Sequence, residues 1–348
     1  MNFFAQQRQA KHRTALLVLL MSLAVLSLIT VTSLIFSLDR ANDGSDTLVI
    51  KWQNITVPAS IIIGVVLLGS LAKYAQLLAG GKVIAEELGG RQIDQGGRTL
   101  EEQRLLNIVE EMALASGVMV PTVYLLPDEG INAFAAGFTP KDAVIGVTQG
   151  AITLLTREEL QGVIAHEFSH IYNGDMRLNM HMVAVVSGLL VLGLMGGLIL
   201  LKVSQGNQRD NRIKTAGLFI GLILCVAGFA GSLLGSLIKA AVSRQREFLA
   251  DATAVQYTRN PDSIAGALKK IGGYAQGSHI NAKRAGEFSH LFFSPGTSSV
   301  MERLFATHPD LSERIRRIDA QWDGTFPMIE AAKMPDTRAA RTADHSLL

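Results

Sequence analysis

Four stretches of this chain are too apolar for too long to belong to a soluble core. Ala15 to Leu38 is an uncharged run of 24 residues preceded by Arg8, Lys11 and Arg13, and a helix needs about 20 such residues to cross a hydrocarbon layer. A cleaved leader would have a shorter apolar region followed by a small-residue cleavage site, so the run predicts a retained transmembrane helix. A second run extends from about Ile55 to Leu71, with Lys73 beyond it; Met182 to Leu201 adds 20 uncharged residues and Thr215 to Ile238 another 24. The first two read as anchors and the last two as a membrane hairpin. The segment after the first run carries Asp39, Asp43 and Asp46 against Arg40 and Lys51, so the positive-inside bias puts the N-terminus in the cytoplasm and this loop outside. The hairpin loop carries Lys202, Arg209, Arg212 and Lys214 against Asp210. That charge favours the cytoplasmic side and opposes a full crossing, but the first helix usually dominates orientation, so two crossings are kept.

Between the apolar runs the periodicities are those of a soluble domain. Thr99 and Glu102 form a capping-box pair that predicts a helix to about Ser116, stopped by Gly117. Val118 to Leu126, interrupted by Pro121, and Ala143 to Thr148 are rich in Val, Ile and Tyr and predict strands of a small sheet, with Ile131 to Gly137 between them. Thr156 and Glu159 open another helix with the same cap signal. After the fourth run, Lys239 to Val255 predicts a helix emerging from the membrane, and Pro261 to Gly272 a further one. Gly286 to Pro309 reads as a loop whose Phe288, Phe292, Phe293 and Phe305 wall a cleft. The expected organisation is an N-terminal cytoplasmic tail (1–14), first span (15–38), external loop (39–54), second span (55–79), first polar block (80–178), membrane hairpin (179–238), second polar block (239–322) and flexible tail (323–348).

Composition agrees with the membrane reading. Hydrophobic residues make up 48% of the chain, charged residues only 18%, and its 33 glycines suit closely packed apolar helices. A formal net charge of +2 gives no nucleic-acid surface. The single cysteine, Cys225, excludes an intramolecular disulfide and lies in an apolar run as a small packing residue.

The chemistry-bearing stretch is His166-Glu167-Phe168-Ser169-His170, inside the helix opened by Thr156. Residues four apart share a helix face, so His166 and His170 can offer two imidazoles to one Zn²⁺ with Glu167 beside it. A catalytic zinc needs three protein ligands and an open position. Glu247 is the best third candidate, and Asp251, one turn on, could orient a ligand histidine; the competing reading is an exposed face paired with Arg244 or Arg246. Both halves of such a site must lie on one side of the bilayer, which independently requires an even number of crossings between them. Counting from the apolar runs, the metal should sit roughly 10–20 Å from the membrane surface. His181 is read as snorkelling to the interface, and His12, His279, His290 and His345 receive no role.

His166 to His170 together with Ser243-Arg-Gln-Arg-Glu-Phe-Leu-Ala-Asp251 resembles the paired metal-site signature of the HtpX-type membrane zinc metallopeptidases, part of the gluzincin group. Asn132-Ala-Phe-Ala135, Thr307-His308-Pro309 and Glu313-Arg314-Ile315 resemble further motifs of that family. The resemblance implies an α+β, mostly helical fold, with four transmembrane helices and a zincin-like catalytic domain carrying a small sheet. It implies one Zn²⁺ per chain on His166, His170 and Glu247, with Glu167 polarising the attacking water and taking its proton. By the same resemblance Asn132 would hold substrate backbone and His308 would stabilise the oxyanion, against the plainer readings of a turn cap and a helix cap. The expected activity is endopeptidase cleavage of unfolded or damaged membrane proteins, in a multi-pass protein of the bacterial inner membrane whose catalytic domain faces the cytoplasm. Its partners would be polypeptides and the lipid bilayer, with no nucleic acid. The competing readings are a prenyl-protein type membrane endopeptidase and a non-catalytic membrane chaperone or scaffold. If Ala143 to Thr148 is an edge strand beside the cleft, an extended substrate could pair with it through backbone hydrogen bonds.

Overall fold

A computed structural model describes residues 3–40, 48–78, 80–94, 96–205, 211–275, 277–280, 292–293 and 306–329. Four of its helices are long and apolar enough to cross a bilayer: Gln7–Phe36, Trp52–Leu77, Asp175–Gln205 and Arg212–Thr258. They correspond to the four apolar runs, and most of their apolar surface faces outward, as lipid-facing helices require. The protein is a multi-pass membrane protein.

Helix α1 (Phe3–Phe36) leads through a short hairpin, β1 (Leu38–Arg40) and β2 (Leu48–Ile50), to α2 (Thr56–Leu77). Asp43, Asp46, Arg209 and Asp210, used above in the loop-charge argument, lie outside the described residues. Helix α3 (Gly80–Glu87), strand β3 (Arg91–Gln92) and α4 (Leu100–Ser116) begin the polar domain. The Thr99 hydroxyl caps α4 by accepting from Glu102 N–H, but Glu102 turns its carboxylate to Arg98 N–H and Arg91, so only half of the expected box forms. At α6 (Arg157–Asn173) both halves form between Thr156 and Glu159.

The sheet has the order β3-β4-β6-β5. Strands β4 (Thr122–Leu126) and β6 (Val144–Thr148) run parallel, and β5 (Ala133–Ala136) is antiparallel to β6. This corrects two expectations. The Ile131–Gly137 segment supplies a strand, and the Ala143–Thr148 segment is interior rather than an edge. Every residue of β6 is buried, the pattern of a strand with both faces covered. A Cβ on Gly146 would lie 2.1 Å from the Phe134 ring, so glycine lets that side chain cross β6. The cleft-side edge is therefore β5. Phe293 N–H donates to the Ala133 carbonyl at 2.9 Å from outside the sheet. Alternation along the strand turns the backbone groups of Ala135 to that same outer side.

Helix α5 (Gln149–Leu154) follows the sheet, and α6 packs over it. Leu105, Ile108 and Met112 of α4, Ile145 and Val147 of β6, and Ile164 and Phe168 of α6 are buried in one cluster. Gly174, at φ +69°, ends α6 in the left-handed turn that glycine adopts without strain. Membrane helix α7 (Asp175–Gln205) starts at the next residue. Helix α8 (Asn211–Thr258) is a single helix of 48 residues, whose apolar portion, 215–238, continues without a break into the polar domain. Helices α9 (Pro261–Gly273) and α10 (Leu311–Ile318) complete the fold. The chain to Ile329 packs on α9 rather than loosening at 323: Trp322 meets Phe326 edge to face, and Ile329 N–H reaches Gly273 O at 3.4 Å. The remaining tail, with His345, and the loop residues Phe288, His290 and Phe305 lie outside the described residues.

The α7–α8 pair is close-packed through glycine. A Cβ on Gly228 would fall 2.0 Å from the backbone nitrogen of Gly193, so only the absence of a side chain permits this approach. Gly228→Leu is expected to pry the hairpin apart and destabilise the protein by about 3 kcal/mol. The check is the thermal midpoint in detergent, which should drop by several degrees.

Candidate metal centre

One cap signal and one unbroken helix place the donors. The Thr156 capping box fixes the start of α6, so that His166 and His170 fall on one inward face, and the continuity of α8 carries Glu247 across to them. His170 Nε2 lies 3.1 Å from His166 Nε2. Glu247 Oε2 and Oε1 lie 3.5 Å from the Nε2 atoms of His166 and His170 respectively. A tetrahedral ion with ligand bonds near 2.0–2.1 Å separates adjacent ligand atoms by about 3.3 Å, so the three residues fit Zn²⁺. The competing reading of Glu247 as an exposed, arginine-paired position does not hold, because the residue is buried in this cluster.

Each imidazole is held from behind. His166 Nδ1 is 2.9 Å from Asp251 Oδ1, and His170 Nδ1 is 2.8 Å from Asp175 Oδ2. A carboxylate on Nδ1–H fixes the tautomer that leaves the Nε2 lone pair for the metal. Arg314, fully buried, grips Asp251 through Nε at 2.9 Å and Nη2 at 2.7 Å, and gives Nη1 to the Phe293 carbonyl at 2.8 Å. Asp175 is paired in turn with Arg246, which also bonds the Asn173 carbonyl at 3.1 Å. Phe293 packs edge-on against the His166 ring.

Glu167 is buried, and neither carboxylate oxygen has a hydrogen-bond partner among the described residues. Burial pushes its carboxyl above the usual range, against the pull of His170 and His166. His308 is buried beside it, with Nδ1 3.1 Å from Glu247 Oε2 but off the angle of a hydrogen bond. Orphaned atoms on Glu167, Glu247 and His308 thus gather at one point, where polar groups would otherwise be satisfied. His308 does not cap α10, a role taken by Asp310.

Asn132 is at the cleft but turned into the protein. Its Nδ2 donates to Ser278 O at 2.7 Å, and its Oδ1 accepts from Ala133 and Phe293 N–H, each at 3.0 Å. It joins the start of β5 to two loops. Two site residues escaped the sequence reading. Asp175 sits in a polar stretch past the helix stop, and only the turn at Gly174 aims it back at His170. Arg314 belongs to a recognised motif, but nothing in the spacing says that this arginine faces inward among several that do not.

A membrane-anchored hydrolytic zinc centre, with helix-borne histidines, a carboxylate from a second helix and an unbonded glutamate between them, defines the class of zinc metalloendopeptidases. Residues 99–321 match peptidase family M48, and the chain belongs to that family. It is 44% identical over 220 residues to a "Protease HtpX homolog" of Thermoanaerobacter pseudethanolicus, covering 62% of this chain and 70% of that one. A protein of the same name from Streptococcus gordonii is 34% identical over 269 residues, 77% of this chain and 88% of that one. A crystal structure of S. mikatae Ste24p superposes with a TM-score of 0.47 at 14% identity, over 90% of this chain and 67% of that one. The protein is a membrane zinc metalloendopeptidase acting on polypeptides.

Proposed function

We propose that His166, His170 and Glu247 hold the Zn²⁺ and that Glu167 is the general base. The convergence of three donor groups at 3.1–3.5 Å beside an unbonded carboxylate carries this reading. Bound there, zinc supplies Lewis acidity toward a peptide carbonyl and lowers the pKa of water. Glu167 takes the proton of the attacking water and delivers it to the leaving amine. His308 faces the same point and donates to the developing oxyanion. Asp251 and Asp175 keep the two histidines in the ligating tautomer. The substrate lies extended along β5 with its backbone against Ala135, and Asn132 serves it by fixing that strand rather than by touching it.

Polar blocks 80–178 and 239–322 act as one catalytic unit at the cytoplasmic face of the bacterial inner membrane, on unfolded or damaged membrane proteins. The basic residues Arg8, Lys11 and Arg13, ahead of the first apolar run, support the orientation. Strand pairing supports the substrate class, because only a chain without its own partners can offer a free strand edge. A denatured substrate should be cleaved at least tenfold faster than its folded form, and equal rates would count against the assignment. Chelation should abolish cleavage and Zn²⁺ restore it. Saturating zinc at 100 times its Kd should also stabilise the fold by about 2.7 kcal/mol, read as a raised thermal midpoint.

A further inference from the structure

Helices α1 and α8 enclose two cavities that play no part in peptide hydrolysis. The first, of about 320 Å³, is polar and lies at the inner end of α1, among Gln9 and Arg13, Gln245 and Asp251 of α8, and Arg317 of α10. The second, of about 520 Å³, is an apolar groove along the same seam, from Met21 to Ile35 on α1 and from Leu222 to Gly235 on α8.

The polar cavity has the charge of an anion site. Among the described residues no carboxylate is paired with Arg13. Arg317 lies over the Phe248 ring at 3.5 Å, and its one acid partner, Glu313, is exposed beside it at 2.8 Å. Asp251 is the only carboxylate in the lining, and both of its oxygens are taken, Oδ1 by Arg314 Nη2 and His166, Oδ2 by Arg314 Nε. Two guanidinium groups and two amides therefore face the space with little opposing charge, a donor set suited to a phosphate.

Position identifies the source of that phosphate. Arg13 is two residues before the uncharged run that begins at Ala15, the level at which headgroups sit. From Arg13 to Met21, where the groove starts, is eight residues, about 12 Å of helix; from Gln245 to Gly235 on α8 is ten, about 15 Å. The groove covers 15 residues of α1, a rise of about 21 Å, more than the ~15 Å hydrocarbon depth of one leaflet. An anionic site and an apolar slot lie in line, one leaflet apart, on the same pair of helices.

We propose that the α1–α8 seam holds one anionic phospholipid, with its phosphate on Arg13 and Arg317 and an acyl chain in the groove between Met21 and Gly235. The lipid fastens α1 to the helix that carries Glu247, and its headgroup lies across Asp251 from His166. This site is independent of the peptidase assignment, because its test reads binding and not cleavage.

The test uses the full chain in a nonionic detergent, with native mass spectrometry and thermal unfolding as readouts. Phosphatidylglycerol should be retained at one molecule per chain and raise the thermal midpoint saturably, while phosphatidylcholine and inorganic phosphate at the same concentration should not. The double variant R13Q/R317Q should weaken that response at least tenfold, whereas R8Q/K11Q, which removes two cations outside the cavity, should change it less than threefold. A24L, at the end of the groove nearer the polar cavity, should displace the acyl chain and reduce retention with both arginines in place, which preserves the test if R13Q/R317Q fails to fold. Equal losses in the two double variants would mean diffuse surface attraction and overturn the site. So would an equal response to phosphatidylcholine, an equal response to inorganic phosphate, or full retention in A24L.

Discussion

Glu167→Gln is expected to lower the rate of peptide hydrolysis by about 10³-fold or more while leaving zinc content and fold intact. General acid–base catalysis by a positioned side chain contributes about 10²–10⁴-fold, and here one group serves both proton transfers. The substitution keeps the shape of the side chain and removes only its ability to take a proton. It breaks no bond, because both carboxylate oxygens lack partners. A buried unpaired charge opposes folding, so the thermal midpoint of the variant should equal or exceed that of the parent. The measurement is kcat with zinc stoichiometry and thermal midpoint on the same preparation. A variant within tenfold of the parent rate would remove Glu167 from the mechanism.

Glu247→Ala should act differently, through loss of the metal itself. It takes away one of three donors, removes the carboxylate 3.1 Å from His308 Nδ1, and leaves Arg314, whose Nη1 lies 3.4 Å from Glu247, with Asp251 as its remaining ion-pair partner. Changes to groups that merely orient a ligand cost about 10–100-fold in metal affinity, so loss of a ligand should exceed that range. After dialysis the variant should retain no zinc, show no hydrolysis, and lose the zinc dependence of its thermal midpoint. Breaking a buried charge pair costs about 3–5 kcal/mol, so its metal-free midpoint should also fall below that of the metal-free parent. Zinc retained at full stoichiometry would mean that another group supplies the third donor.

What the chain made legible was set by the length of each signal. Spans of 17 to 24 apolar residues and the two cap motifs are long local patterns, and each lies where its periodicity put it. The pair His166 and His170 is also local, one helical turn. Glu247 lies 77 residues beyond His170 and was reachable only because a zinc site demands a third donor. Strand β5 was not legible: four residues, Ala-Phe-Ala-Ala, have weak strand preference, and they become a strand because β6 presents a free edge and Asn132 fixes their start. The interior place of β6 was misread for a related reason, since an apolar run of this length fits an edge or a centre equally well until its neighbours are known. Asp175 and Arg314 depend on one left-handed turn and on one side of a short helix, information that exists only in three dimensions.

The uninterrupted course of α8 also sets an order of events during synthesis. His166 and His170 leave the ribosome first, and the two membrane helices that follow must be inserted as a pair before Glu247, at the far end of the second, can meet them. Asp251, His308 and Arg314 come later still. A chain made only as far as His170 therefore holds two histidines and a glutamate but no third donor, and the centre can close only after the second of these helices has been made. A third donor carried at the far end of the second of these helices thus ties assembly of the centre to membrane insertion.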